Sequence, residues 1–312
     1  MEKDIYYYIE KNDPELLKEA IKNGIDIHKK SEINGENALF KASILLSKIL
    51  IDAGIDIYHL DNQNQNAFAY LCFTPFEIGE DCYAAEDSEN KEKEKFKLLL
   101  DSGVDPYHLS DYNQNAYFFC HDEEMLSWLF DLNVDLNVID DKGHNLIWAV
   151  NGKLQEEELT NWLIKKGVSV KTVDNENSTI LFYSTAHKII RNLIDSGINI
   201  NHINNNGDNF ITNGNVRSCS INAIRMFINR GLDIHHINKS GLNILDIYKD
   251  DPAIVKLLCD LNIKVTQQPD FYEDSLAKDI IEKQRAKHIN EEKESLINEF
   301  KVKPDKLTKN RI

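Results

Sequence analysis

Apolar residues recur along the chain in blocks that each end in Gly or Asn, then an aliphatic residue and often Asp, as in ILIDAGIDI, LLLDSGVDP and NLIDSGINI. Apolar positions three and four residues apart predict the buried face of an α-helix. Gly or Asn at the end of such a helix predicts a left-handed C-cap, because a Cβ is costly in that conformation and Asn tolerates it best. We name this residue the pivot. The pivots are Gly24, Gly54, Gly103, Asn133, Gly167, Gly197, Gly231 and Asn262.

Successive pivots are 30, 49, 30, 34, 30, 34 and 31 residues apart, so all intervals but one lie close to a common period. A period of about 33 residues predicts a stack of repeats, in which each unit buries its apolar face only against its neighbours. The long interval holds the acidic segment 73–96, which we expect to be a surface insertion. The predicted continuous core contains Leu50, Leu99, Leu129, Leu163, Leu193, Phe227 and Leu258.

A second pattern follows the six pivots from Gly54 to Gly231 at fixed distances. Gly or Asn stands ten residues after the pivot, and Asn or Thr stands twelve residues after it. The earlier residue suits a turn with positive φ, and the later one suits a helix N-cap. In the first unit the match is one residue longer, at Gly35 and Asn37, which predicts a one-residue bulge. The later N-cap residues are Asn66, Asn115, Asn145, Thr179, Asn209 and Asn243.

With these features the chain resembles the ankyrin repeat family over roughly residues 4 to 265. The best matches are GENALFKA from Gly35 and GHNLIWA from Gly143, whereas the family's full T-P-L-H motif does not occur and Asn usually replaces its Thr. The resemblance implies an all-α ankyrin-repeat solenoid with short β-hairpin fingers, and a binding surface formed by the hairpins and the first helix of each unit.

The predicted array spans residues 1–265 in about eight units, and residues 1–24 form its N-terminal cap, with Pro14 at the first position of a helix. Residues 266–312 are predicted to form one or two amphipathic helices and a basic tail. We expect these helices to cover the open end of the array as a C-terminal cap. Their apolar positions are Leu276, Ile280, Ile281, Leu296, Ile297 and Phe300.

Composition adds a charge argument, because 42% of residues are hydrophobic and the formal net charge is −16. The hydrophobic content favours a folded protein, and the acidic excess speaks against a nucleic-acid surface, which needs clustered Lys and Arg. A basic protein partner fits the charge. A role in solubility alone stays open.

The first residues, MEKDIYYY, lack a basic start with an apolar stretch, and no run is long enough to span a membrane, so we expect neither a signal peptide nor a membrane anchor. The five cysteines are odd in number and have no CxxC spacing, which indicates reduced thiols and a cytoplasmic location.

The sequence predicts no catalytic residue, metal site or cofactor. Equivalent histidines in neighbouring units would lie about 10 Å apart, too far to share one zinc ion. The acids of His121–Glu124 suit a helix N-terminus, and no phosphate-binding loop, zinc-protease or hydrolase motif is found.

Six residues after six of the pivots comes Leu, Ile or Val, at Leu60, Leu109, Ile139, Val173, Ile203 and Ile237. We interpret this regularity as packing between repeats in preference to an exposed apolar stripe. Positions that vary between units at the same register are better candidates for partner binding. The candidates are Tyr58, His59, Gln63, Tyr107, His108, Asp111, Tyr112, Asp141, Lys142, Glu176, His202 and His236.

The functional prediction is a protein–protein interaction module, monomeric when unbound, that holds a basic partner protein and binds neither nucleic acid nor membrane. One hypothesis is an immunity protein that inhibits a basic toxin. A second is an effector that binds host proteins, and a remote third is an enzyme with activity in the C-terminal region.

Overall fold

The computed structural model describes residues 3–73, 88–120, 123–153, 155–213 and 219–301. Within these ranges the chain forms helices joined by turns, and no β-strand exceeds a single bridge residue. The α-helices are α1 Ile5–Lys11, α2 Pro14–Lys22, α3 Ala38–Lys41, α4 Ile44–Asp52, α5 Ala67–Phe73, α6 Ser88–Asp101, α7 Glu123–Asp131, α8 Leu146–Ala149, α9 Glu156–Lys165, α10 His187–Asp195, α11 Ile221–Asn229, α12 Ile244–Ile247, α13 Pro252–Asp260 and α14 Lys278–Lys301. Three 3₁₀ helices are described, at Ala116–Phe119, Ile180–Phe182 and Pro269–Tyr272.

The chain divides into two compact units, Met1–Asp174 and Asn175–Ile312. The predicted array of residues 1–265 therefore extends through the first unit and into the second, which also contains the segment 266–312. Part of the predicted insertion, residues 74–87, lies outside the described residues, and α6 begins directly after it. Cys82, His121 and residues 302–312 of the predicted basic tail also lie outside them.

The predicted C-caps are confirmed, because all eight pivots have positive φ, from 57° at Asn133 to 94° at Gly103 and Gly197. At the end of α4 the N–H of Gly54 donates to the Ile51 carbonyl, and the N–H of Ile55 donates to the Leu50 carbonyl. These two bonds satisfy carbonyls that the helix leaves without partners. The left-handed pivot turns the chain out of the helix and into the loop that follows.

We name the loop from each pivot to the next N-cap a finger. Backbone bonds close most fingers: the Asp61 N–H donates to the Gln65 carbonyl at 2.9 Å. In finger 1 the Ser31 N–H donates to the Glu36 carbonyl at 2.8 Å. This bond closes a turn one residue longer than the turn from Asp61 to Gln65, so the predicted extra residue lies in the turn itself. Fingers 1 to 4 span residues 25–37, 55–66, 104–115 and 134–145 of the first unit, finger 5 spans 168–179 and contains the unit boundary, and fingers 6 and 7 span 198–209 and 232–243 of the second unit.

At five of the N-caps an Asn side chain joins its finger to the loop that follows the next pivot. Asn66 Oδ1 accepts the backbone N–H groups of Phe68 and Ala69 at the start of α5. Its Nδ2 donates to the Asp105 carbonyl of finger 3 at 2.7 Å. Asn carries its acceptor and its donor on separate atoms, so this one side chain caps a helix and also links two neighbouring repeats. The Nδ2 donations to the next loop recur from Asn37, Asn115, Asn145 and Asn243 to the carbonyls of Asp56, Asp135, Ser169 and Lys264. Of these four residues, Asn115 makes no cap bond and the other three do.

The predicted core is confirmed within each unit. The seven predicted core residues lie on the seven helices that precede the pivots from Gly54 to Asn262, one residue each on α4, α6, α7, α9, α10, α11 and α13. All seven are fully buried. Each such side chain contributes about 1.5 to 3 kcal/mol of burial free energy, which accounts for the strict period of the sequence.

At the end of the second unit, α14 packs against α13 through its first turns. Ile281 is buried, and the Gln284 side chain donates to the Cys259 carbonyl at 3.2 Å. From Ile289 to Asn298 every side chain is exposed. Leu276, an apolar position of the predicted C-terminal helices, lies before the first residue of α14 and is also exposed.

Candidate functional site

Three tyrosines project from fingers 2 and 3 of the first unit. Tyr58 is 71% exposed, Tyr107 is 55% exposed and Tyr112 is 49% exposed. The Tyr107 hydroxyl donates to the Leu132 carbonyl at 2.8 Å, so this ring is held in place by the following unit. Exposed aromatic side chains of fixed orientation lose little conformational entropy on binding and are favoured in protein interfaces.

The regular aliphatic row lies at the surface, which overturns its interpretation as packing between repeats. Leu109 is 40% exposed and Ile139 is 38% exposed, and Leu60 and Val173 are half-buried. In the second unit Ile203 and Ile237 are exposed as well. The fingers of the first compact unit therefore carry a row of half-buried and exposed aliphatic side chains, an apolar stripe.

The same fingers carry aspartates at a repeated position. Asp56, Asp105 and Asp135 each lie two residues after a pivot, and the Oδ1 atom of each accepts the N–H of the residue two positions later, at 3.0, 2.9 and 2.8 Å. All three side chains are in exposed residues. The turn therefore fixes the position of the carboxylate while the charge stays in solvent.

The four histidines predicted as partner-binding residues instead join neighbouring fingers. In the first unit Nε2 of His59 lies 2.6 Å from the Gly35 carbonyl, and Nε2 of His108 lies 2.7 Å from the Asn64 carbonyl. A carbonyl only accepts, so Nε2 must carry the proton. His202 and His236 make the same contact, to Asn177 and Gly207, within the second unit. His59 is buried, and these contacts give the four side chains a structural role that was not predicted from the sequence.

The other predicted positions lie at the tips of the fingers. Gln63, Asp111, Tyr112, Asp141 and Lys142 are all exposed. Backbone bonds keep these tips together: the Asp111 N–H donates to the Gln63 carbonyl at 3.1 Å, and the Asp141 N–H donates to the Tyr112 carbonyl at 3.2 Å. Glu176 is exposed on the second unit.

A shallow cavity of about 280 Å³ lies between fingers 3 and 4 and the helices behind them. The His144 and Trp148 rings form one wall, stacked with centroids 4.4 Å apart, and Asp140 lies beside them. The Asp140 carboxylate accepts the Lys142 and His144 N–H groups and the Gln114 side chain, so its hydrogen bonds shape the finger. The sequence did not predict this cavity, because its walls come from two neighbouring repeats.

Two lysines, one buried and one half-buried, were also not predicted from the sequence, because Lys is ordinarily exposed. Lys95 of α6 is buried and its Nζ donates to the Phe40 carbonyl at 3.4 Å. Burial lowers the pKa of Lys95 to about 8. Lys153 Nζ donates to the Phe118 and Cys120 carbonyls at 3.0 and 2.8 Å, and burial also lowers its pKa. Both ammonium groups bind carbonyls at the ends of short helices, which is a structural role.

Within the described ranges, no group of three or more His, Cys, Asp and Glu side chains is placed to hold a metal ion. The cysteines described there, Cys72, Cys120, Cys219 and Cys259, are buried thiols outside disulfides. Among the helices of the described residues, none has the length and apolar character that crossing a membrane requires.

No protein-family model matches the chain, and no curated protein matches it. Among solved structures, the ankyrin repeat domain of Bcl-3, a member of the IkappaB protein family, matches with a TM-score of 0.50 and 15% sequence identity. The match covers 73% of this chain and 98% of that chain. The likeness confirms the fold inferred from the pivots and their period, which is an ankyrin-repeat fold.

Proposed function

We propose that the chain is a protein-interaction module whose fingers 2 to 4 hold a basic partner protein. The observation that carries the proposal is the exposure of Tyr58, Tyr107 and Leu109 on consecutive fingers. Exposed apolar side chains grouped in this way on a folded surface mark an interface, and Tyr is enriched among residues that contribute most to binding.

Charge favours a basic partner over a neutral one. Residues 56–65, 105–114 and 135–144 together contain seven Asp and one Lys. A partner of opposite potential gains both a faster encounter and selection against acidic competitors. Holding a basic surface also denies it to other molecules, so we propose inhibition of a basic toxin as the specific form of this function.

Within this proposal the parts of the chain have different roles. Residues 1–265 provide the binding surface as a monomeric module. The first turns of α14 cover the last repeat as a C-terminal cap, a role supported by the burial of Ile281 and the Gln284 contact to α13.

The test is affinity capture with the full chain, immobilised and exposed to an extract of the cell that makes it. A variant with Tyr112→Ala and Asp111→Lys removes one aromatic contact and inverts one charge at the tip of finger 3. We expect the captured protein to bind this variant more weakly by about 1 to 2 kcal/mol, mainly through faster dissociation for the Tyr change.

The matched control is Glu94→Lys, which makes the same charge inversion on the exposed side of α6. Capture should be unchanged in this control. Equal capture by the wild type, the finger variant and the control would contradict a binding site on fingers 2 to 4.

A further inference from the structure

We infer that fingers 2 to 4 bind a partner segment in the polyproline II conformation, with Lys or Arg at every third residue. The inference rests on the proposed function and adds the conformation and spacing of the bound segment. Three features carry it: exposed Tyr side chains, a narrow apolar stripe, and a carboxylate at the same position of each finger.

The stripe and the tyrosines define the shape of the surface. Among the aliphatic side chains of fingers 3 and 4, Leu109 and Ile139 are the exposed ones, and Leu60 has the same place, half-buried, on finger 2. A row with at most one exposed aliphatic side chain per finger is narrower than the apolar face of an amphipathic helix, which extends over about 100° of its circumference. Polyproline II segments instead dock on narrow surfaces lined by aromatic rings, here Tyr58 and Tyr107.

The spacing of the charges selects the same conformation. Asp56, Asp105 and Asp135 occupy equivalent places on fingers joined by direct backbone bonds, so they lie about one helix layer, about 8 to 10 Å, apart. Polyproline II has three residues per turn and a rise of about 3.1 Å, so every third side chain returns to the same face after about 9 Å. In a β-strand the third residue points to the opposite face.

The occupant's charge follows from complementarity with these carboxylates. Their Oδ1 atoms are engaged by the turn, and the exposed side of each group faces solvent, where a Lys or Arg side chain can meet it. Lys142, at the tip of finger 4, is the basic side chain in this part of the sequence and opposes such a segment. Replacing it with an acid should therefore strengthen binding.

The experiment measures binding of synthetic peptides to the full chain by calorimetry at low salt. The first peptide has four Lys-Pro-Pro repeats, and the second has the same composition with its four Lys residues contiguous. The third is a helical peptide with Lys at every seventh position. We expect the Lys-Pro-Pro peptide to bind about tenfold more tightly than the other two, since exposed charge pairs each change affinity about two- to fivefold and only this peptide forms all three pairs.

Variants test the carboxylates without breaking the turn. Asp105→Asn keeps the Oδ1 acceptor and removes the charge, so it should weaken binding of the Lys-Pro-Pro peptide about two- to fivefold, and Lys142→Glu should strengthen it by a similar factor. Glu94→Gln removes the same charge from α6 and should have no effect. A thermal melt of each variant checks that the fold is kept.

Equal binding of the first two peptides, tighter binding of the helical peptide, no peptide binding, or equal effects of Asp105→Asn and Glu94→Gln would overturn the inference. The proposed function would still stand if the variant with Tyr112→Ala and Asp111→Lys captured less of the partner protein than the wild type did. Loss of both results would remove the function and the inference together.

Discussion

At the scale of single residues, side-chain amides stabilise the repeat array by linking neighbouring repeats. Asn64 and Asn113 have left-handed φ values near 58°, and their Nδ2 atoms donate to the Leu109 and Ile139 carbonyls of the next finger. Other repeats have Gly at this position, and there the next finger lies too close for a side chain. A Cβ on Gly143 would lie 2.6 Å from the Val173 carbonyl oxygen. Gly therefore permits close approach, and Asn supplies a hydrogen bond.

The double role of Asn66 gives a testable result. In Asn66→Asp the carboxylate can still cap α5, but it no longer donates to the Asp105 carbonyl and places two acceptors 2.7 Å apart in a buried site. We expect the free energy of unfolding to fall by about 2 kcal/mol, measured by urea denaturation. Gln63→Glu makes the same amide-to-acid change on an exposed side chain and should cost less than about 0.5 kcal/mol. Equal losses would show that the bridge contributes nothing.

At the scale of elements, α14 behaves as two halves with different environments. Its first turns are held by the buried Ile281 and by Gln284, whereas residues 289–298 are exposed on all sides. An isolated helix of this length is marginal in water, so the second half depends on the first for its conformation.

The two halves allow a comparison of one substitution at two positions. Ile281→Ala removes a buried side chain and should lower the free energy of unfolding by about 2 to 4 kcal/mol. Ile297→Ala, on the exposed half of the same helix, should change it by less than about 0.5 kcal/mol. Chemical denaturation of both variants measures the difference. A large loss from Ile297→Ala would indicate a packing partner for the second half.

At the scale of the whole molecule, the acidic charge is unevenly distributed along the chain. Residues 266–312 contain ten basic and ten acidic residues, so the formal charge of −16 belongs to residues 1–265. Charge of this size acts on approaching molecules over distances set by the Debye length.

Salt should therefore slow association with the captured basic partner. The Debye length falls from about 10 Å at 0.1 M salt to about 3 Å at 1 M, so we expect the association rate to drop across this range in stopped-flow measurements. Asp111→Lys should reduce both the rate at low salt and its dependence on salt, while the dissociation rate changes less. An association rate independent of salt would exclude electrostatic steering.

The sequence alone determined the repeat, the pivots, the caps and the core. These features depend on local chemistry: a left-handed residue is preferably Gly or Asn, a helix N-cap favours a short polar side chain, and a repeat buries the same apolar position each time. Pivot residues such as Gly54 and Asn133, and core residues such as Leu99, were predictable for this reason.

The tertiary structure alone decided which regular positions face solvent. Leu109 and His108 are adjacent in sequence and both belong to recurring positions, yet Leu109 is exposed and His108 binds the Asn64 carbonyl of the preceding finger. Burial of Lys95 likewise depends on α6 placing its ammonium group at the Phe40 carbonyl. A period shows that a position has the same environment in every unit, but the atoms that form that environment belong to the neighbouring unit and are placed only by folding.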